Sequence, residues 1–293
     1  MKVAIYGKAL AEYDIPYLKL LLKAFAKKNV IVAFEKNFLN QLSNFYQIAD
    51  LKVFTQDHGL DDTFDLFVSL GGDGTMLRAI TYVGKYSIPI VGVNTGRLGF
   101  LSTFKKEEAH KMVAEFVNKQ FTTEERSMLE VDTDSDIHDF GSLNFALNEI
   151  TVSRKDTTSM IAVETFLDGA YLTNYWADGL IVATPTGSTG YSLSCGGPVI
   201  APTTKSFVLT PIAPHNLNAR PFVISDETKI RLKVSGREDN HLISLDSRIA
   251  TIPNGKEIVI QKSPLTIKMV VFKSDSFLKT LRNKLLWGED RRN

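Results

Sequence analysis

Phe64-Asp65-Leu66-Phe67-Val68-Ser69-Leu70-Gly71-Gly72-Asp73-Gly74-Thr75-Met76-Leu77-Arg78-Ala79-Ile80 is the stretch whose pattern decides the fold class. Phe64, Leu66, Phe67, Val68 and Leu70 make a mostly apolar run of strand character, and Met76 to Ile80 resumes with helical character. A strand, a glycine turn and a helix start therefore follow one another. Gly71, Gly72 and Gly74 let the backbone approach a ligand with no side chain in the way. Thr75 and the first free N–H groups of the helix face the same point, which suits an anion. Asp73 is the odd member, because a carboxylate repels bare phosphate unless it holds a metal or meets a hydroxyl. It reads as a phosphoryl-transfer carboxylate; the alternative is a type I′ or II turn closed by Asp-Gly. The chain contains neither a G-x-x-x-x-G-K-[ST] phosphate loop nor a G-x-G-x-x-G after its first strand.

Outward from this stretch, the first 125 residues alternate short apolar strands with helical patterns. Strand-like runs at Val3–Tyr6, Val30–Phe34, Leu66–Leu70 and Ile88–Val93 flank helical spacing, clearest in Tyr17, Leu18, Leu21, Leu22 and Phe25. Such alternation predicts a parallel α/β domain. Beyond Glu125 the helical period stops, and strand-like runs such as Phe145–Val152, Tyr171–Trp176 and Leu180–Thr184 recur at close spacing, punctuated by Asp168-Gly169, Asp178-Gly179 and Asn254-Gly255. Ile267–Phe272 and a helical Ser276–Leu286 restore the first pattern. The expected division is an α/β domain over residues 1–125, with 267–293 packing back on it, and a β-rich domain over 126–266.

The whole-chain numbers exclude classes rather than choose one. At 293 residues with 44% apolar content the chain buries a large core. Its net charge of +1 gives no reason to expect a nucleic-acid or membrane partner. No apolar run reaches the roughly 18 residues of a membrane span, and Met1 to Tyr6 is too short for a signal peptide, so a cytoplasmic protein is expected. The single Cys195 excludes an internal disulfide, and the five scattered histidines offer no zinc spacing, so no metal-ligating side chains are assigned.

A second motif, Thr184-Pro185-Thr186-Gly187-Ser188-Thr189-Gly190-Tyr191-Ser192, follows the strand-like Gly179–Ala183. Its hydroxyls, glycines and one ring suit a ligand carrying phosphates and an aromatic base; the alternative is an ordinary Ser/Thr/Gly turn. Together with Gly71–Thr75, Asn148-Glu149, Gly196-Gly197-Pro198 and the Gly92–Phe100 block, in this order, it resembles the NAD kinases over most of the chain, from about Phe64 to Gly288. Family members read Ser-Thr-Ala-Tyr where this chain has Ser188-Thr189-Gly190-Tyr191.

The resemblance implies an α/β domain joined to a β-rich domain, the active site lying between them. It implies a Mg²⁺-dependent transfer of the γ-phosphoryl group of ATP to the 2′-hydroxyl of the adenosine ribose of NAD, and a homodimer or homotetramer. Asp73 is the expected catalytic group, accepting or orienting the hydroxyl proton, within a cradle of Gly71, Gly72, Gly74 and Thr75. Asn148 pairs with the adenine edge and Glu149 with a ribose diol; the alternative on local sequence is a pair of solvated strand-edge residues. Asp178 accepts the nicotinamide amide N–H₂ or, on local sequence alone, closes a hairpin turn. The loop residues Thr186, Ser188, Thr189, Gly190, Tyr191, Ser192, Leu193 and Ser194 complete the dinucleotide site.

Arg78, one turn after Gly74, faces the phosphates or solvent, and Phe100 covers an adenine or fills the core. Ala213 lines the nicotinamide side, and Arg248 stands where the family shows Gln. Trp176 stands where the family often carries Arg, and its ring face would attract the cationic oxidised nicotinamide.

Overall fold

The computed structural model describes residues 1–8, 10–43, 52–133, 140–156, 159–272 and 276–287. Gly288, the last residue of the family-like stretch, lies outside them. The chain divides into two compact units, Met1–Glu125 with Ile267–Asn293, and Arg126–Thr266.

The first unit is built on a parallel sheet. Strands β1 (Lys2–Gly7), β2 (Ile31–Glu35), β3 (Lys52–Phe54), β4 (Leu66–Leu70), β5 (Ile90–Asn94) and β6 (Phe104–Lys105) lie in the order β6-β5-β4-β1-β2-β3. Every residue of β4 and β5 is buried, as expected of central parallel strands covered by helices on both faces. The covering helices are α1 (Ile15–Ala26), α2 (Lys36–Leu42), α3 (Asp73–Val83) and α4 (Ala109–Val117). In α1 the inward stripe is Ile15, Leu18, Leu21 and Phe25, Pro16 fits the first turn where no N–H partner is lost, and Asn29 stops the chain at φ +53°. The Glu35 carboxylate caps α2 by accepting the Phe38 N–H at 2.8 Å.

The order of this sheet reverses at β1. The chain lays β2 and β3 outward on one side, then returns to place β4 and β5 on the other. The crevice outside the carboxyl ends of β1 and β4 is thus a topological switch point, where open α/β sheets bind ligands. Gly71 follows the last residue of β4, so the glycine turn sits at this crevice.

The second unit is a β-sandwich. Its strands are β7 (Phe121–Thr133, entering from the first unit), β8 (Phe145–Ala146), β9 (Glu149–Ser153), β10 (Ile161–Leu167), β11 (Ala170–Ala177), β12 (Gly179–Ala183), β13 (Ser206–Ile212), β14 (Phe222–Ser225), β15 (Ile230–Ser235), β16 (Asn240–Leu245), β17 (Arg248–Pro253) and β18 (Glu257–Phe272). One antiparallel sheet runs β14-β13-β12-β9-β16-β17, and β11-β10-β15-β18 run beside one another in the other. Val152, Val182 and Ile243 of the first meet Val163, Leu232 and Ile258 of the second in one fully buried cluster. Between β12 and β13 stand a 3₁₀ turn, Thr186–Thr189, and the short α5 (Tyr191–Ser194). In the first unit the far end of β18 pairs Met269 with Ile90, and α6 (Phe277–Leu285), capped by Ser276, buries Leu281.

Several local features differ from the sequence expectation. Phe145–Val152 is two strands, broken at Leu147-Asn148, because the backbone there pairs with a side chain instead of a neighbouring strand. Asp178-Gly179 closes no hairpin, since β11 and β12 belong to different sheets; Asp178 donates its N–H to Ile212 O, and its own carbonyl accepts the Arg154 N–H. Asp168-Gly169 does form the tight turn, with φ of +48° and +84°. The strands β3, β14 and β17 lie outside the runs that the sequence suggests, although Ile249 to Ile252 of β17 alternate exposed and buried as a half-buried strand should.

His241 of β16 is fully buried; Nδ1 meets Asn254 Oδ1 at 2.9 Å and Nε2 has no partner among the described residues. Burial holds its pKa below the ordinary histidine value. The unfolded chain therefore takes up a proton first as pH falls through about 6.5, and stability drops by up to about 1.4 kcal/mol per pH unit. Thermal melts from pH 7.5 to 5.5 should show Tm falling more steeply for the wild type than for His241→Leu; parallel curves would contradict this.

Candidate active site

In the first unit the glycine turn and the N-terminus of α3 make an open cradle. Gly71 has φ +149°, and a Cβ there would stand 2.3 Å from Thr75 Oγ1, so no other residue fits without moving the helix start. Gly72 and Gly74 face open space, leaving their backbone accessible. The Gly71 N–H is taken by Val93 O and the Thr75 N–H by Gly72 O, both at 2.9 Å, so the donors the cradle presents at the positive end of the helix dipole are the N–H groups of Gly72, Asp73 and Gly74.

Asp73, the first residue of α3, does more than face this cradle. Its Oδ2 accepts the Phe100 N–H at 2.7 Å, and Oδ1 accepts those of Leu101 at 3.1 Å and Ser102 at 2.9 Å. Gly99 makes this approach possible, since a Cβ there would stand 1.8 Å from Asp73 Oδ1. Asn94 shapes the same loop by accepting the Gly96 N–H at 2.7 Å and donating to Arg97 O at 2.8 Å. A carboxylate oxygen offers two acceptor positions, so Oδ1 is saturated and Oδ2 keeps one. Phe100 is half-buried beside Asp73 rather than in the core. Arg78 is exposed on α3, close enough for its charge to pull down the phenol pKa values of Tyr6 and Tyr82, which burial raises.

In the second unit the polar pair sits at the strand break. Asn148 is 9% exposed and Glu149 half-buried, yet Asn148 Oδ1 and Glu149 Oε2 are enclosed and have no hydrogen-bond partner among the described residues. Burial first, and then the charge of Asp246, push the Glu149 carboxyl up to about 8, against the pull of the Tyr191 backbone N–H. Two adjacent enclosed acceptors without donors are a costly arrangement unless a ligand brings hydroxyl or amino groups.

The loop after β12 packs on this pair. A Cβ on Gly187 would stand 2.0 Å from Asn148 O, so only glycine lets the 3₁₀ turn lie against that backbone. Gly190 is 2.9 Å from Glu149 Oε2 by the same construction, so the methyl of the family's Ala would crowd the carboxylate tip. Several hydroxyls expected to face the ligand face inward instead. Ser188 Oγ donates to Pro185 O at 2.7 Å and accepts the Ile200 N–H at 2.9 Å, and Ser192 Oγ meets Thr210 Oγ1 at 2.8 Å. Both serines are fully buried, and they hold the loop's shape. Thr186 is buried as well, and its carbonyl accepts the Thr189 hydroxyl at 3.1 Å. Gly190, Tyr191, Leu193 and Ser194 keep accessible surface.

Asp178 and Ala213 lie near each other in the chain's hydrogen bonding, since the Asp178 N–H bonds Ile212 O. The Asp178 carboxylate pairs with Arg154 Nε at 3.2 Å, a partner the sequence did not point to. Ala213 is exposed and held at φ +45°, a conformation an L-residue adopts at a cost and that is concentrated at functional sites. Trp176 is 54% exposed. Arg248 takes a different place from the one expected. Its guanidinium donates to the carbonyls of Leu143 and Phe145, so it supports the backbone leading to Asn148.

Likeness to known proteins agrees with both halves of this geometry. The ATP-NAD kinase N-terminal domain family matches residues 23–121, and the ATP-NAD kinase C-terminal domain family matches residues 147–272. The chain is 54% identical over 294 residues to the NAD kinase of Christiangramia forsetii, covering 100% of both chains, and 43% identical to that of Cytophaga hutchinsonii, again over 100% of both. Among solved structures, yeast NADH kinase complexed with NADH superposes with a TM-score of 0.84 at 25% identity, covering 100% of this chain and 89% of that one. An NAD kinase from Archaeoglobus fulgidus in complex with ATP gives 0.74 at 28% identity, covering 98% and 99%. Because the models of both ATP-NAD kinase domains match it and a relative named NAD kinase is 54% identical over all of it, the chain belongs to the NAD kinase family.

Proposed function

We infer that the chain transfers the γ-phosphoryl group of ATP to the 2′-hydroxyl of the adenosine ribose of NAD, producing NADP and ADP. The observation that carries this beyond family membership is the pair of enclosed acceptors, Asn148 Oδ1 and Glu149 Oε2, which call for a ligand with amino and hydroxyl donors. We assign the adenine edge to Asn148 and a ribose diol to Glu149. Gly190, Tyr191, Leu193 and Ser194 supply the adjoining loop surface, and Asp178 and Ala213 the nicotinamide side.

The cradle takes the nucleotide phosphates on the N–H groups of Gly72, Asp73 and Gly74. Asp73 takes the proton of the 2′-hydroxyl on the one acceptor position left on Oδ2, as the oxygen bonds to the γ-phosphorus and the bond to the β,γ-bridging oxygen breaks. Most of the barrier reduction then comes from positioning and from charge facing the transferred group. Among the described residues no three His, Cys, Asp or Glu side chains stand together to hold a metal. When bound, Mg²⁺ neutralises phosphate charge.

Arg78 faces the phosphates in this scheme and Phe100 flanks Asp73. The exposed Trp176 gives the nicotinamide an aromatic neighbour that favours the oxidised, cationic ring. No helix among the described residues is long and apolar enough to cross a membrane. A cytoplasmic setting and a homodimer or homotetramer complete the proposal.

Three outcomes test it. Glu149→Ala should weaken NAD binding by about 1.5–3 kcal/mol without lowering Tm, since it removes a desolvated carboxyl. Titration calorimetry that finds an unchanged dissociation constant, or a collapsed melt, would make the pair structural. Asp73→Asn should cut kcat by about 10²–10⁴-fold with NAD affinity nearly kept. More than about a tenth of the wild-type kcat in the variant would rule out proton acceptance by Asp73.

The raised carboxyl gives the third test. Only the ionised Glu149 accepts both hydroxyls of a diol well, so NAD affinity should rise as pH goes from 6.5 through about 8 and level off above it. Glu149→Gln should show no such rise, and an identical pH profile in the variant would contradict the assignment.

A further inference from the structure

We propose that the turn joining β16 to β17, through Asp246 and Arg248, is the positioning device that holds Asn148 and Glu149 in their ligand-facing arrangement. The proposal rests on the reading of Asn148 and Glu149 as NAD contacts. A strand broken at Leu147-Asn148 leaves successive backbone N–H groups without a sheet partner, in a place closed to water. The Asp246 carboxylate takes all of them. Oδ2 accepts the Leu147 N–H at 3.0 Å, and Oδ1 accepts those of Asn148 at 2.8 Å and Glu149 at 3.2 Å. The Asp246 N–H returns a bond to Glu149 O at 3.0 Å.

Arg248 answers with the opposite sign on the approach to the break. Its guanidinium donates to the carbonyls of Leu143 and Phe145 and lies over the Phe145 ring, 5.5 Å from its centre. One turn therefore satisfies donors with an acid and acceptors with a base along a single segment, 143–149. The turn itself is fixed by register: β16 pairs Leu245 with Ile150 on β9, and Leu245 with Arg248 on β17, leaving only Asp246 and Ser247 to reverse the chain. Asp246 accepts φ +52° to do so. In this arrangement neither side chain needs to touch the ligand. Both act through the two residues that do.

Asp246 also sets the charge that Glu149 meets. The groups facing the Glu149 carboxyl are the Asp246 carboxylate and the Tyr191 N–H, with Arg248 facing Asp246 in turn. Removing the Asp246 charge lets Glu149 ionise at lower pH.

Steady-state kinetics on the full chain decide the matter. Asp246→Asn and Arg248→Met should each raise KM for NAD by about tenfold or more, with KM for ATP within about twofold. Arg248→Gln keeps an amide N–H for one carbonyl and should fall between Arg248→Met and the wild type. In a Glu149→Ala background, Asp246→Asn should add less than half of its own logarithmic effect, because it acts through what is already gone. The pH at which NAD affinity levels off should move down in Asp246→Asn, which a purely structural defect would not produce.

The proposal is overturned if both variants leave KM for NAD within about twofold while Glu149→Ala raises it, or if KM rises equally for both substrates. A silent Glu149→Ala is a different failure: it removes the NAD-contact reading, and this proposal with it. Should Asp246→Asn not fold, the Arg248 pair decides alone, since the acid and its three bonds stay in place there.

Discussion

A carboxylate side chain that gathers three successive backbone N–H groups is the interaction on which both halves of the molecule depend. Asp73 does this for Phe100, Leu101 and Ser102, and Asp246 for Leu147, Asn148 and Glu149. Irregular backbone enclosed by protein leaves donors that neither a helix nor a sheet can satisfy, and each orphan is costly. One carboxylate answers three at once, with bonds stronger than neutral pairs make. The same bonds stabilise the buried charge, so loop and acid hold each other in place.

Glycine supplies the other half of that constraint. Gly99 lets the 99–102 loop close on Asp73, and Gly187 lets the 3₁₀ turn close on the Asn148 backbone; a methyl group at either would overlap the atoms it has to approach. These glycines work by absence of bulk rather than by flexibility. Ser188 and Ser192 then lock the loop from inside through bonds to Pro185, Ile200 and Thr210. Little in either region is left to be arranged by a ligand, which fits a reaction whose rate comes mainly from position and fixed charge.

Much of this was legible in the sequence where periodicity carries the signal. The apolar run ending at Leu70, the glycines and the resumed helix place the cradle at the end of β4, and the loss of helical spacing after Glu125 marks the β-rich half. What escaped depends on side chains bonding to backbone far away in sequence. Nothing in Leu245-Asp246-Ser247-Arg248 says that its acid will reach the amides of residues 147–149, since that contact exists only once β16 has paired with β9. The break inside Phe145–Val152 was hidden for the same reason, as its apolar residues read as one strand. Ser188 and Ser192 were misjudged because a hydroxyl's direction is set by the packing around it, whereas Ile249 to Ile252 carried a plain alternation that shorter turn signals obscured.

The most direct measurement is a crystal structure of this chain with NAD bound. Donors of the dinucleotide should lie within about 3.2 Å of both Asn148 Oδ1 and Glu149 Oε2, while Asp246 keeps its bonds to residues 147–149. NAD bound with either of those acceptors still unpartnered, or with the Asp246 bonds broken to admit it, would contradict the account.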